Sequence, residues 1–175
     1  KVIQDMSLRP QCPVITVGGT NGKGSTCAML EAIYTKAGYR TGVFASPHLL
    51  RYNERIRLAN AEVDDDTIIS SFEIIDCARN DVSLTYFEFS FLAALDVFLK
   101  QDADLIILEV GLGGRWDAAN VLDPDCAIVT NVGLDHMEYL GETREKIGAE
   151  KAAIFRGGGA HAICGDEDPP QSILD

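Results

Sequence analysis

The sequence predicts an α/β protein, a mostly parallel sheet with helices on both faces, and three observations carry that prediction. Several strand candidates are continuous apolar runs, the mark of strands covered on both faces. The segments between them place apolar residues at helical spacing, so strands and helices alternate. A glycine-rich stretch, VGGTNGKGST at 17–26, joins the first strand to the first helix.

The first strand is VITV, 14–17, and the helix after it runs over 25–37, with Met29, Leu30, Ile33, Tyr34 and Ala37 at helical spacing and Gly38 as its stop. TGVFA, 41–45, is the second strand. A helix over 64–79 turns Ile68, Phe72 and Ile75 inward, and another follows Thr85 with Phe87, Phe91, Leu95 and Phe98 as its stripe. DLIILEVG, 104–111, and CAIVTNV, 126–132, are the next strands. A helix over 143–155 carries Ile147 and Ile154, and AHAIC, 160–164, closes the series. The length suits one domain, 1–175, without internal repeats.

Composition excludes several classes. With 46% hydrophobic and 24% charged residues the chain is globular. No window holds about 18 uninterrupted apolar residues and the N-terminus lacks a signal pattern, so a cytoplasmic protein away from membranes is expected. Five cysteines lie far apart without a CxxC pair, so reduced packing residues are expected, with no disulfide framework or structural zinc. A net charge of -12 disfavours nucleic acid as a partner. In RYNERIR, 51–57, three arginines outweigh one glutamate, and charge alone does not separate an anion site from a solvated loop. The chain opens on Lys1 and stops soon after the acidic GDEDPP, so a truncated domain is expected.

In such sheets ligands gather where the strands end, and four motifs fall there. After the first strand comes Gly19-Thr20-Asn21-Gly22-Lys23-Gly24-Ser25, opening into a helix. Glycines let successive N–H groups converge on one anion, the helix dipole adds partial positive charge, and Lys23 supplies a full one. The usual phosphate loop puts Ser or Thr directly after the lysine; here Gly24 intervenes. After the second strand, Ser46 stands where a hydroxyl can reach a metal on the phosphates, although Ser-Pro-His is also a common turn. The run LIILE ends in Glu109, and a carboxylate there is expensive unless paired or metal-bound; an acid beside a phosphate loop is the usual holder of Mg²⁺. After the next strand stand Asp135 and His136, where imidazole can ligate a second ion, though a loop histidine is more often incidental.

Two further stretches have sufficient plain accounts. Thr85 with Glu88 fits a helix capping box, and Phe87 fits core packing. Lys151 near a helix end meets the dipole favourably.

Together GTNGKGS, SPHL…ERIR, TYFEFSFLAAL, LEVGLGGRWDAAN, GLDHMEYLG and REKIGAEKAAIFR resemble the folylpolyglutamate synthase and dihydrofolate synthase family, one of the Mur-type ligases, over residues 12 to 164. Gly24 is part of that family's loop. The resemblance implies a P-loop NTPase-like Mur ligase central domain in which Thr20, Asn21, Gly22 and Lys23 hold ATP phosphates and Gly24 and Ser25 complete the turn. It implies Ser46, Glu109 and His136 as magnesium ligands for two Mg²⁺ ions. It places Thr85, Tyr86, Phe87, Glu88, Trp116, Asp117 and Ala118 on dihydropteroate, and Lys151 as a carboxylated lysine that joins Lys23 and His136 in catalysis.

The implied reaction is ATP-dependent addition of L-glutamate to dihydropteroate or a reduced folate through an acyl phosphate, by a monomer. The family's second, C-terminal domain lies outside these residues, so the fragment alone is expected not to turn over. A peptidoglycan-type Mur ligase and a nucleotide-binding remnant stay open as alternatives. A GTP-type switch finds no NKxD-like base-reading segment.

Overall fold

The computed structural model describes residues 1–157 and 159–175. Its strands are β1 (Val14–Gly18), β2 (Thr41–Phe44), β3 (Ile56–Leu58), β4 (Ala61–Glu62), β5 (Leu105–Glu109), β6 (Cys126–Val129) and β7 (His161–Cys164). They form one sheet in the order β4-β3-β2-β5-β1-β6-β7. β2, β5, β1, β6 and β7 are mutually parallel, with Val14 opposite Ile106 and Ile15 opposite Cys126. The five predicted strands are therefore the parallel ones; β1 runs one residue beyond its predicted end, and the other four are each a residue or more shorter than their apolar runs.

The antiparallel edge of β3 and β4 went unpredicted. It lies in the arginine-rich segment, and its turn residues Ala59 and Asn60 have φ of 50° and 66°, so an alanine hides the positive-φ turn that glycine usually signals. Arg57 stabilises that turn by donating to the Asn60 carbonyl at 3.1 Å.

Helices α1 (Val2–Asp5), α2 (Lys23–Lys36), α3 (Asp65–Arg79), α4 (Tyr86–Lys100), α5 (Met137–Leu140), α6 (Arg144–Ala152) and α7 (Gln171–Leu174) complete the layers. Strand alternation splits the core. Phe44, Phe91, Phe98, Ile106 and Leu108 belong to one face with α3, α4 and α6, while Ile15, Val17, Val43 and Ile107 pack under α2. Phe44, Phe91 and Phe98 are sealed, each burial contributing about 1.5–3 kcal/mol. Gly42 lets the Phe98 ring lie on the sheet, since a β-carbon there would stand 2.8 Å from it. Of the stripe expected for α3, Ile68 and Ile75 are buried and Phe72 half-buried; the expected helix over 143–155 ends at Ala152, with Ile147 buried on α6 and Ile154 buried just beyond it.

On α2 the expected face is partly wrong. Met29 and Ile33 are 67% and 62% exposed, and the buried residues are Cys27 and Glu31. The helix sets 27, 30, 31 and 34 against the sheet, and a glutamate within that stripe disguises it. Burying Glu31 is tolerable because Arg57 of β3 donates to both its oxygens, at 3.0 and 3.2 Å. The cysteine expectation also needs one correction: all five are free, but Cys77 on α3 is exposed and packs no core. Among the described residues no helix is long and apolar enough to cross a membrane.

Candidate active site

The four motif loops follow β1, β2, β5 and β6, which lie side by side in the order β2-β5-β1-β6. Topology therefore gathers segments more than 110 residues apart at one sheet edge, Thr20 meeting Gly133 across 113. The loop after β1 turns at Gly19, φ +143°, and enters α2 through Gly22, φ +80°. No side chain caps α2 and its first turn carries no acid, so its leading amides remain open to an anion.

Lys23 lies back over this loop, its Nζ donating to the carbonyls of Gly19 at 3.1 Å and Thr20 at 3.3 Å. From α6, Lys151 Nζ donates to the same Gly19 carbonyl at 3.0 Å. Burial, then the charge of Lys23, lowers the Lys151 pKa from 10.5 to about 8. Two ammonium groups thus share one carbonyl, an arrangement that favours an anion beside them.

Residues after β6 strap the loop. The Asn131 carbonyl accepts from Thr20 N–H at 3.0 Å, and its side-chain oxygen accepts from Asn21 N–H at 2.9 Å. Thr130 Oγ1 donates to the Asn21 carbonyl at 2.7 Å, and Gly133 N–H donates to Thr20 Oγ1 at 2.9 Å. Sequence reading missed Thr130 and Asn131 by running the strand to 132; a Thr-Asn pair ending an apolar run is the turn signal that marks them. Behind them the acidic tail segment acts as a brace. Asp166 accepts from Val132 N–H at 2.8 Å while Arg144 Nε donates to the Val132 carbonyl at 2.8 Å.

Glu109 is buried at the end of β5, and Ser46 N–H donates to its Oε2 at 2.8 Å. Burial raises its pKa, opposed by that N–H and by the charges of Lys23 and Arg55. A β-carbon at Gly24 would stand 3.9 Å from Glu109 Oε1, at ordinary contact distance, so the inserted glycine is where the helix faces the carboxylate. His136 stands elsewhere. Exposed and in the left-handed region at φ 49°, it lines a small cavity with Gly19, Lys23, Asp135 and Lys151. The three expected metal positions thus divide into Ser46 with Glu109 and His136 with the lysines. Among the described residues no three His, Cys, Asp or Glu side chains converge on one point.

Beside this edge opens a cleft of about 630 Å³ lined by 85–88, 116–118, Ser46 and Arg55. It shares Gly111, Leu112, Gly113 and Leu140 with the small cavity. All seven residues expected on the pteridine-bearing substrate line this cleft, but their side chains have different tasks. Thr85 and Glu88 form the capping box of α4, the Glu88 carboxylate accepting from Thr85 N–H at 2.7 Å. Asp117 accepts from Gly111 and Leu112 N–H at 3.0 Å and Ala119 N–H at 2.9 Å, so it shapes the rim. Phe87 packs on Phe44 with ring centroids 5.3 Å apart. Tyr86 and Trp116 line the same cleft and are 60% and 90% exposed.

The loop before β3 is held from below. Glu54 accepts from the N–H groups of Leu49, Leu50 and Arg51 at 2.8, 2.7 and 2.6 Å, and these lower its pKa from 4.5 to about 2. A carboxyl depressed on folding stabilises fully above its unfolded pKa and loses that contribution as pH falls through the folded one. The 49–51 turn should therefore hold above pH 4.5 and loosen toward pH 2. Carboxyl-carbon NMR should show Glu54 titrating near 2; a midpoint near 4.5 would mean the three amides do not hold it.

A parallel sheet with a glycine-lysine loop between its central strand and a helix, and a buried carboxylate on the adjacent strand, defines a phosphate-loop domain. The chain belongs to the Mur ligase family: the model of the Mur ligase middle domain matches residues 17–174. It is 51% identical over 168 residues to the dihydrofolate synthase/folylpolyglutamate synthase of Escherichia coli K12, covering 96% of this chain and 40% of that protein. It is 41% identical over 150 residues to the folylpolyglutamate synthase of Arabidopsis thaliana, covering 82% of this chain and 26% of that one. Among solved structures, E. coli FolC in complex with DHPP and ADP superposes with a TM-score of 0.96 at 49% identity, over 99% of this chain and 42% of that one. The bifunctional folylpolyglutamate synthase/dihydrofolate synthase from Yersinia pestis complexed with AMPPNP and Mn ion superposes at 0.94 and 50% identity, with the same coverage. The chain thus spans about 40% of the length of its bacterial relatives.

Proposed function

We propose that this chain is the nucleotide-binding part of an ATP-dependent ligase that adds L-glutamate to dihydropteroate or a reduced folate, acting on small molecules as a cytoplasmic monomer. The observation that carries the reading is the junction of the phosphate loop, Glu109 and the aromatic-rimmed cleft, whose linings overlap at Gly111, Leu112, Gly113 and Leu140. A phosphoryl group held by the loop therefore faces an acceptor held in the cleft. On this reading, glutamate binding falls in the length that the relatives have beyond the match.

In the reaction the acceptor carboxylate attacks the γ-phosphorus and ADP leaves; the amine of glutamate then attacks the acyl carbon, losing a proton as phosphate departs. The protein's work is positioning and neutralising charge. Thr20, Asn21, Gly22 and Lys23 take the phosphates on loop amides and an ammonium, with Gly24 and Ser25 extending the row into α2. Glu109 fits a cation: it is buried, one N–H reaches one of its oxygens, and it faces the loop across Gly24. Ser46 and Glu109 would hold one Mg²⁺, His136 and a modified Lys151 a second. Bound there, the ions would neutralise the phosphates' developing charge.

Lys151 is suited to carboxylation, in which an uncharged amine adds to CO2 and loses a proton. With a pKa of about 8, roughly a tenth of its amines are uncharged at pH 7, against about three in ten thousand for an ordinary lysine. The resulting anion would relieve the crowding of two ammonium groups on the Gly19 carbonyl. Tyr86 and Trp116 supply flat faces for a pteridine ring.

The test uses dihydropteroate labelled with heavy oxygen in its carboxylate, ATP, Mg²⁺ and glutamate, on a protein of the relatives' full length. One label should appear in the released phosphate. Amide formation without label transfer would remove the acyl phosphate and with it the assigned tasks of the loop.

A further inference from the structure

The cleft is lined by three acids and, among the described residues, one cation. The acids are all engaged: Glu88 and Asp117 hold backbone amides, and Glu150 accepts from Arg115 at 2.9 Å. The cation is Arg55. It is 8% exposed, yet among the described residues it forms no ion pair. Its Nε donates to His48 Nδ1 at 2.7 Å, and its guanidinium carbon lies 5.1 Å from the Tyr86 ring centroid.

These two contacts fix the plane of the fork. Among the described residues Nη1 and Nη2 find no acceptor, and neither is a sealed polar atom, so both stay accessible in a side chain that lines the cleft. A buried guanidinium without a carboxylate partner is costly, and nearly every buried charge is paired or ligated. This one is held by His48 and Tyr86, satisfied on one nitrogen, and lines the cleft.

We propose that Arg55 is the carboxylate anchor of the cleft: its two free terminal nitrogens receive the reacting carboxylate of an aromatic acid and hold it against the γ-phosphate. The proposal deepens the ligase reading and rests on it for the identity of the acid. Without such a cation an anionic nucleophile would approach a polyphosphate beside the Glu109 carboxylate, where like charges repel. Lys23 and Lys151 are turned to the Gly19 carbonyl on the nucleotide side, leaving Arg55 to neutralise the acceptor. The planar fork matches a carboxylate in bidentate fashion, which an ammonium does not. Arg55 transfers no proton; the carboxylate oxygen forms its bond to phosphorus while it remains bound.

The test measures binding to this chain by NMR shift titration, with dihydropteroate and its carboxamide as one pair and 4-aminobenzoate and 4-aminobenzamide as a second. Wild type should prefer each acid to its amide, and Arg55→Met should abolish that preference by weakening acid binding roughly tenfold to a hundredfold. Amide affinity and nucleotide affinity should stay unchanged in Arg55→Met, which shows that the fold survives, and Arg55→Lys should restore only part of the preference. Equal binding of acid and amide by wild type would overturn the anchor, as would a preference that survives Arg55→Met or an equal loss of both ligands. If the benzoate preference depends on Arg55 while dihydropteroate binds no better than 4-aminobenzoate, the anchor stands and the pteridine reading falls.

Discussion

Lys23→Met should lower the affinity of this chain for ATP by one to two orders of magnitude and at the same time raise the Lys151 pKa above its present value of about 8. The first effect follows from losing a charge-assisted hydrogen bond to phosphate, worth about 1.5–3 kcal/mol. The second follows from geometry. Lys23 and Lys151 donate to one carbonyl, at 3.1 and 3.0 Å, so removing one positive charge removes repulsion from the other. Glu109 should respond in the same direction, because Lys23 also holds its pKa down. Titration of fluorescent ATP together with NMR of ε-labelled lysine would read both. An unchanged Lys151 titration would show that the two amines do not share the site.

Gly19→Ala should be the most damaging substitution in the loop. Its φ of +143° is a conformation that side-chain-bearing residues rarely adopt, and an added β-carbon would stand 1.8 Å from Thr130 Oγ1 and 3.1 Å from the Thr130 backbone nitrogen. The obstruction includes backbone, so rotating one side chain does not relieve it. A destabilisation of about 3 kcal/mol or more is expected, the range of a strained backbone combined with overpacking. Nucleotide binding should fall with it, because the same movement parts Thr20 and Asn21 from Asn131. The double substitution Gly19→Ala with Thr130→Ala should recover only part of the loss, since the backbone contact and the φ remain. Gly22→Ala is the control: φ is +80° but its surroundings are open, and about 1–2 kcal/mol is expected from conformation alone. Chemical denaturation of the variants would decide the order; equal costs at 19 and 22 would contradict this account of the loop.

Much of the molecule was legible as local pattern. Apolar runs marked β1, β2 and β5, which are buried throughout, because a strand covered on both faces needs no polar alternation. The order of glycines and lysine in 18–25 announced an anion loop, and a lone acid ending LIILE announced a carboxylate that must be used. What stayed hidden depended on partners distant in sequence. Glu31 is buried only because Arg57 reaches it from another strand, so the face of α2 could not be read from α2. Thr130 and Asn131 are loop straps only because β6 lies next to β1.

Arg55 shows the same division most clearly. Its charge was plain in RYNERIR, but a cluster of arginines has the composition of a solvated loop as readily as of an anion site. Residue chemistry and spacing by themselves determined the class of fold, the phosphate loop and the carboxylate on β5. Only the tertiary structure decided which charges are neutralised: it gave Glu31 and Glu150 their arginines, engaged Asp117 and Glu54 with backbone amides, and left Arg55 in the cleft without an ion pair among the described residues. The physical reason is that a charge's cost and use are set by burial and by neighbours within a few ångströms, and those neighbours come from elements scattered along the chain.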